Sequence, residues 1–204
     1  MDINRKNHWE TVYQTKNKDE VSWTQKKPII SLEFISDLKI DKSAEIIDIG
    51  GGDSNLVDYL IDEGYQNITV LDISEKALEK SKIRLGEKAK AVTWIVSDIL
   101  DFKPKKKYDL WHDRAAFHFL TNKTEIEHYV NTVLEFVNGS LIMGTFSDEG
   151  PLKCSGLEIS QYSEPKLSKL FNDNFKKIKC VKSDHTTPFN TTQNFLFCSF
   201  VKID

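Results

Sequence analysis

The chain has 204 residues, and its 28 Lys and Arg against 31 Asp and Glu leave a net charge of −3 and a pI near 6.0. That length suits one domain with a sizeable core, and the acidic balance lacks the electrostatic footprint of a nucleic-acid binder. Three cysteines, Cys154, Cys180 and Cys198, show no CxxC spacing, so neither a disulfide framework nor a zinc site is expected and a reducing cytoplasm is the expected location. The opening MDINRKNHWE lacks the apolar core of a signal peptide, and no run approaches the roughly 18 apolar residues that span a bilayer. A soluble monomer that binds neither nucleic acid nor membrane, and no metal, is the expectation.

After a polar opening segment, Pro28 stands at the first turn of a helix in KPIISLEFISDL, where Ile30, Phe34 and Leu38 repeat at helical spacing. Apolar runs then alternate with amphipathic ones: EIIDIG, a helix over about 55–63 stopped by Gly64, NITVLD, a helix over about 75–86, AVTWIVSD, YDLWHD, and a helix over about 123–137. In the last helix Ile126, Tyr129, Val130, Val133, Leu134 and Val137 share one face. Short Val- and Ile-rich strands separated by such helices specify a parallel sheet covered on both faces, so the expected class is a doubly wound α/β fold. Past SLIMGTF the pattern changes. A short helix near 164–171 precedes FKKIKCVKSDH and TQNFLFCSFVK, whose close linkage near Pro188 makes them an antiparallel hairpin at the end of the sheet.

The stretch EIIDIGGGDSNL places Gly50 and Gly52 just after an apolar strand, where the chain must turn and bring backbone amides close to a ligand at a helix N-terminus. Ser54 follows at the next alternate place, and the third glycine of a dinucleotide fingerprint is missing. Asp72 ends the next strand at the spacing at which a carboxylate accepts both hydroxyls of a ribose. Two cofactor classes share this geometry. A pyrophosphate at the helix N-terminus would be repelled by Asp53 in the loop and Asp48 before it, whereas a ligand with a positive sulfonium and ammonium would not.

With these residues the chain resembles the class I S-adenosylmethionine-dependent methyltransferases over essentially its whole length. The acidic residue and G-x-G of their first motif match Asp48, Gly50 and Gly52, the ribose-binding acid matches Asp72 in VLDIS, and the adenine-side acid matches Asp98 in VSDIL. The resemblance implies a seven-stranded Rossmann-like sheet, S-adenosylmethionine as cofactor and S-adenosylhomocysteine as product, with Gly51, Ser54, Ile73, Ile99 and His112 completing the cofactor site. It also divides the single domain into an N-terminal lid and helical segment over 1–40, a cofactor-binding core over 41–146, and an acceptor-shaping segment with the terminal hairpin over 147–204.

GGGDS is similar to the loop of a branch that includes protein lysine methyltransferases. HWETVYQTKNKDEVSW is similar to the leading segment of that branch and of thiopurine-type enzymes, in which an aromatic covers the cofactor. By that resemblance Trp9, Tyr13 and Trp23 are lid residues, with Gln25 a further contact; the residues alone fit an amphipathic, core-packed segment equally well. HDRAA resembles the W-D-R-G/A stretch of thiopurine-type enzymes and puts Asp113 and Arg114 beside cofactor and acceptor, although an Asp–Arg pair fixing a loop is the structural alternative.

Methyl transfer is an in-line displacement that needs a base only when the acceptor carries a proton, and His112, Asp113 and His118 are the candidates. Asp113, Arg114 and His118 form the expected catalytic set. Asp148, Cys154, Tyr162, His185 and Gln193 are candidates for lining the acceptor cleft, since a connection as long as SDEGPLKCSGLEISQYSE exceeds ordinary loops. The expected acceptor is a small molecule. Alternatives are a protein lysine side chain, a cofactor-binding scaffold without catalysis, and a short NAD-dependent reductase, which the acidic loop argues against.

Overall fold

A computed structural model describes residues 3–203. Its sheet has seven strands: β1 Glu45–Ile49, β2 Asn67–Asp72, β3 Val92–Val96, β4 Tyr108–Arg114, β5 Val137–Phe146, and, after two short strands, β8 Phe175–Thr186 and β9 Thr192–Lys202. They lie in the order β3-β2-β1-β4-β5-β9-β8, with β1 to β5 parallel and the last two antiparallel. The doubly wound sheet with its terminal hairpin is therefore as expected.

Alternation along each strand explains the two cores. Ile47, Ile49, Leu71 and Trp111 face a cluster completed by Tyr129, Val133 and Phe171. Ile46, Val70, Leu110 and Ile142 face the other, with Phe34, Leu56 and Leu78. Both faces are apolar because helices cover both.

The helices start and stop where local chemistry dictates. In α4, Glu75–Leu85, the Ser74 hydroxyl accepts from the Ala77 amide at 3.1 Å, and the helix ends at Gly86 with φ +57°. In α5, Lys123–Phe136, the Asn122 side chain accepts from the Thr124 amide at 2.8 Å. The remaining helices are α1 Ile3–Thr15, α2 Ile29–Asp37, α3 Leu56–Asp62 and α6 Glu164–Ser168. No described helix is long and apolar enough to cross a membrane.

The opening segment is helical, and α1 docks on the N-terminus of α4, where the Glu10 carboxylate accepts from the amides of Glu75 at 2.7 Å and Lys76 at 3.2 Å and from the Ser74 hydroxyl. A carboxylate at those unpaired amides meets the positive end of the helix dipole. The long connection after β5 is not open loop, because β6 Lys153–Cys154 and β7 Leu157–Glu158 form a small hairpin across Ser155 and Gly156. Finally, the register of β8 against β9 sets Cys180 opposite Cys198, and a disulfide joins them. The expectation of no disulfide is thus corrected, and with it goes the cysteine argument for a reducing compartment. Spacing of 18 residues gave no motif; hairpin register made the pair.

Candidate active site

The parallel strands reverse order between β1 and β4, and the crevice beyond their carboxyl ends is where an open α/β sheet holds ligands. A cavity lies there. β1 delivers Asp48, β2 delivers Asp72, and Asp98 follows β3, each nearly sealed from solvent yet lining the cavity. A buried carboxylate is costly unless its oxygens are bonded. One oxygen of Asp72 accepts from the Ser74 amide at 2.8 Å, and one of Asp98 accepts from the Leu100 amide at 3.0 Å. Burial pushes the Asp72 carboxyl up to about 7, reinforced by the negative charges of Asp48 and Glu10.

The glycine loop fits closely around these acids. Gly52 takes φ +41°, and a Cβ there would lie 2.8 Å from an Asp72 oxygen and 3.0 Å from the Tyr13 hydroxyl. A Cβ on Gly51 would meet Asp48 at 2.6 Å. Only glycine admits this approach. Gly50, Gly51 and Ser54 line the cavity, whereas Gly52 shapes it from behind. The Ser54 hydroxyl accepts from the Leu56 amide at 3.1 Å.

Asp53 does not present a free charge to the cavity. Arg84 pairs with it and also with Asp58 at 2.9 Å, and Lys18 approaches it at 3.2 Å. The Asp48 carboxylate is likewise engaged, 2.7 Å from Nδ1 of His112, whose Nε2 lies 2.9 Å from the Ser31 hydroxyl. The charge of Asp53 is thus compensated within the fold, while that of Asp48 is held in place by a hydrogen bond. Ser31 and Arg84 were not legible in the sequence, because each is brought to the loop by tertiary packing.

The leading segment roofs the site. Trp9, Tyr13 and Trp23 line the cavity together, with ring centroids 5.6 Å apart for Trp9 and Trp23 and 6.2 Å for Tyr13 and Trp23, and Phe119 sits 5.1 Å from Trp9. Asn55 ties the segment down by donating to the carbonyls of Gln25 and Lys26 at 3.0 and 3.1 Å. Ile73, Ile99, Gln25 and His112 complete the wall.

The expected catalytic trio separates. Arg114 lines the cavity, and its Nη1 donates to the Trp23 carbonyl at 3.1 Å. Asp113 does not reach the cavity. Its carboxylate turns into the core, accepting from the amides of Ala116 and Phe117, both at 3.1 Å, and from the Tyr129 hydroxyl at 2.7 Å. Alternation along β4 explains this, since His112 and Arg114 share one face and Asp113 takes the other. Those bonds hold the turn in which Ala115 adopts φ +66°, a costly conformation for a residue with a side chain.

His118 is fully buried behind the wall, its Nδ1 accepting from the Phe146 amide at 3.3 Å, and burial beside Arg114 drives its pKa down to about 3. Such an imidazole is neutral at any physiological pH. The placement corrects the expectation that Asp113 and His118 meet the acceptor.

Of the other acceptor-side candidates only Cys154 reaches the cavity, with its thiol pushed up to about 11 by burial. Asp148 is exposed and pairs with Lys182 at 2.8 Å, and Tyr162 is packed on Phe117. His185 donates to the Ser22 carbonyl at 2.7 Å and Gln193 to the Ser22 hydroxyl at 3.2 Å, so both hold the leading segment instead of lining the cleft.

Comparison with known proteins agrees with this geometry. A family model described as "Methyltransferase domain" matches residues 40–194. Malonyl-[acyl-carrier protein] O-methyltransferase 2 of Ilyobacter polytropus is 26% identical over 162 residues, covering 74% of this chain and 62% of that protein. The eEF1A lysine and N-terminal methyltransferase of Mus musculus is 26% identical over 121 residues, covering 58% of this chain and 17% of that protein. The chain thus spans less than two thirds of either curated relative. In fold it matches the N-methyltransferase NodS from Bradyrhizobium japonicum, solved with S-adenosyl-L-homocysteine, at a TM-score of 0.75 and 16% identity over 97% of this chain and 100% of that one.

Proposed function

Because the chain belongs to the methyltransferase-domain family, we propose that it transfers the methyl group of S-adenosylmethionine to a small-molecule nucleophile. The observation that carries this reading is the pair Asp72 and Asp98: two buried carboxylates at neighbouring strand ends, each with one oxygen tied to a loop amide and both lining one cavity. That pair fits a ribose and an adenine edge, and the close-packed loop of Gly50 and Gly51 fits the methionine part. The cofactor supplies a methyl group already activated by positive sulfur, leaving S-adenosylhomocysteine.

The chain's residues then have three tasks. Asp72 accepts from the ribose hydroxyls and Asp98 lies at the adenine side. Trp9, Tyr13 and Trp23 exclude water and present aromatic faces to positive charge. The wall of His112, Arg114, Ala115 and Ala116 aligns the acceptor, and alignment of this kind lowers a barrier by about 7–11 kcal/mol.

None of the three candidate bases, His112, Asp113 and His118, stands free at the cavity. Both nitrogens of His112 are engaged, while Asp113 and His118 act by holding the turn and the wall. The site therefore suits an acceptor that arrives with its electron pair available. A roofed cavity also suits a small molecule better than a protein lysine, the acceptor named for the Mus musculus relative.

Labelled S-adenosylmethionine incubated with the protein and a cell extract divided into protein and small-molecule fractions tests this. Label enters the small-molecule fraction; label in protein alone would move the reading to a side chain, and label in neither would leave a scaffold.

A further inference from the structure

Arg114 lines the cavity, and the cofactor reading does not use its charge. Its Nη1 donates to the Trp23 carbonyl, and its guanidinium lies 5.0 Å from the Phe195 ring centroid, but Nε and Nη2 are buried with no hydrogen-bond partner. Asp48 acts on it electrostatically but forms no ion pair with it. Buried donors of a charged group that lack a partner are costly. Nε and Nη2 together form the side edge of the guanidinium fork, the edge that matches the two oxygens of a carboxylate. The missing partner therefore has a definite shape and charge.

We propose that the methyl acceptor carries a carboxylate and that Arg114 is its counter-ion, bonding through the Nε and Nη2 edge. This rests on the methyltransferase reading and narrows its substrate class. The edge lies beneath the leading segment, so the acceptor reaches it when that segment lifts and the Trp23 carbonyl releases Nη1. Two further features place the acceptor here. Cys154 lines the same part of the cavity as a neutral thiol, adding no competing charge, and the strained Ala115 turn fixes the base of the arginine. A carboxylate could also come from the methionine part of the cofactor, and the test separates the two sources.

A small-molecule cell extract is first split on a strong anion exchanger, and each fraction is then incubated with the protein and labelled S-adenosylmethionine. Label is expected in the retained fraction; label confined to the unretained fraction overturns the proposal. Arg114→Gln is expected to lower turnover on the retained fraction about tenfold or more, Arg114→Lys to keep part of it, and S-adenosylhomocysteine to bind either variant within about threefold of the parent. If Arg114→Gln instead weakens S-adenosylhomocysteine about tenfold but leaves 5′-methylthioadenosine, which lacks the carboxylate, unaffected, the guanidinium serves the cofactor and the proposal falls. If the parent protein binds no S-adenosylhomocysteine, the methyltransferase reading fails first and takes this inference with it.

Discussion

The two ends of the cavity are held together differently. At the cofactor end Asp72 and Asp98 each accept from an amide of their own loop two residues on, and Arg5 reaches the second oxygen of Asp98 at 3.5 Å. At the acceptor end the polar groups are fixed across the chain, Arg114 to Trp23 over 91 residues and His185 to Ser22 over 163. Local bonds form as soon as the strand and turn exist, so the cofactor end is built into a few short stretches. Long-range bonds require the leading segment, β4 and the hairpin to have docked together. The first end leans more on bonds within its own loops and Arg114 more on tertiary packing, so each should fail in its own way when perturbed.

The largest expected effect belongs to the β4 turn that backs the acceptor end. Asp113→Ala leaves two amides in the core without an acceptor and the Tyr129 hydroxyl with only the Met143 sulfur, a loss of about 3–5 kcal/mol that lowers Tm by roughly 10 °C in a thermal melt. A melt unchanged within about 2 °C would show that the β4 turn does not depend on this carboxylate.

At the cofactor end the matching substitution should spare the fold and strike binding. Asp72→Asn is expected to weaken S-adenosylhomocysteine by about 1.5–3 kcal/mol, roughly tenfold to more than a hundredfold in Kd by calorimetry. Equal damage to stability would erase the contrast between the two ends.

The same carboxyl separates binding from folding through pH. Its pKa is raised to about 7 in the folded chain, so its stabilising contribution is complete below the ordinary carboxyl range and is lost as pH rises through about 7; Asp113, raised to about 6 by burial, acts in the same direction. Ribose hydroxyls donate to the ionised form, so affinity for S-adenosylhomocysteine should instead rise with pH, by up to about tenfold per unit below the pKa, and level off above it. Stability and affinity should move oppositely between about pH 5 and about pH 8, and Asp72→Asn should flatten the affinity profile.

The smallest effect is expected at His118. Its Nε2 has no partner and its ring lies 4.6 Å from both Phe119 and Phe146, so His118→Phe keeps the packing and leaves only the Phe146 amide unpaired. Methyl transfer should stay within about threefold of the parent. A loss of about a hundredfold, the scale of general base catalysis, would return His118 to the reaction.

The same contrast governs what could be read from the sequence. Alternating strands, amphipathic helices and the glycine loop carry their information in neighbouring residues, so the sheet, Asp72 and Asp98 were legible. The side to which Asp113 turns was also available from alternation along YDLWHDR, but a motif resemblance outweighed it. The disulfide required the hairpin register, and the pairing of Asp53 with Arg84 required α4 to pack beside the loop. Neither Ser31 beside His112 nor the Glu10 cap on α4 leaves any local pattern.

Hydrogen exchange on the intact chain with and without saturating S-adenosylhomocysteine tests the account most directly. Protection should appear in the glycine loop, just past β2 and β3, and in the leading segment around Trp9 to Trp23, with the terminal hairpin unchanged. Protection confined to the hairpin, or none at saturation, would contradict a cofactor site built on those strand ends.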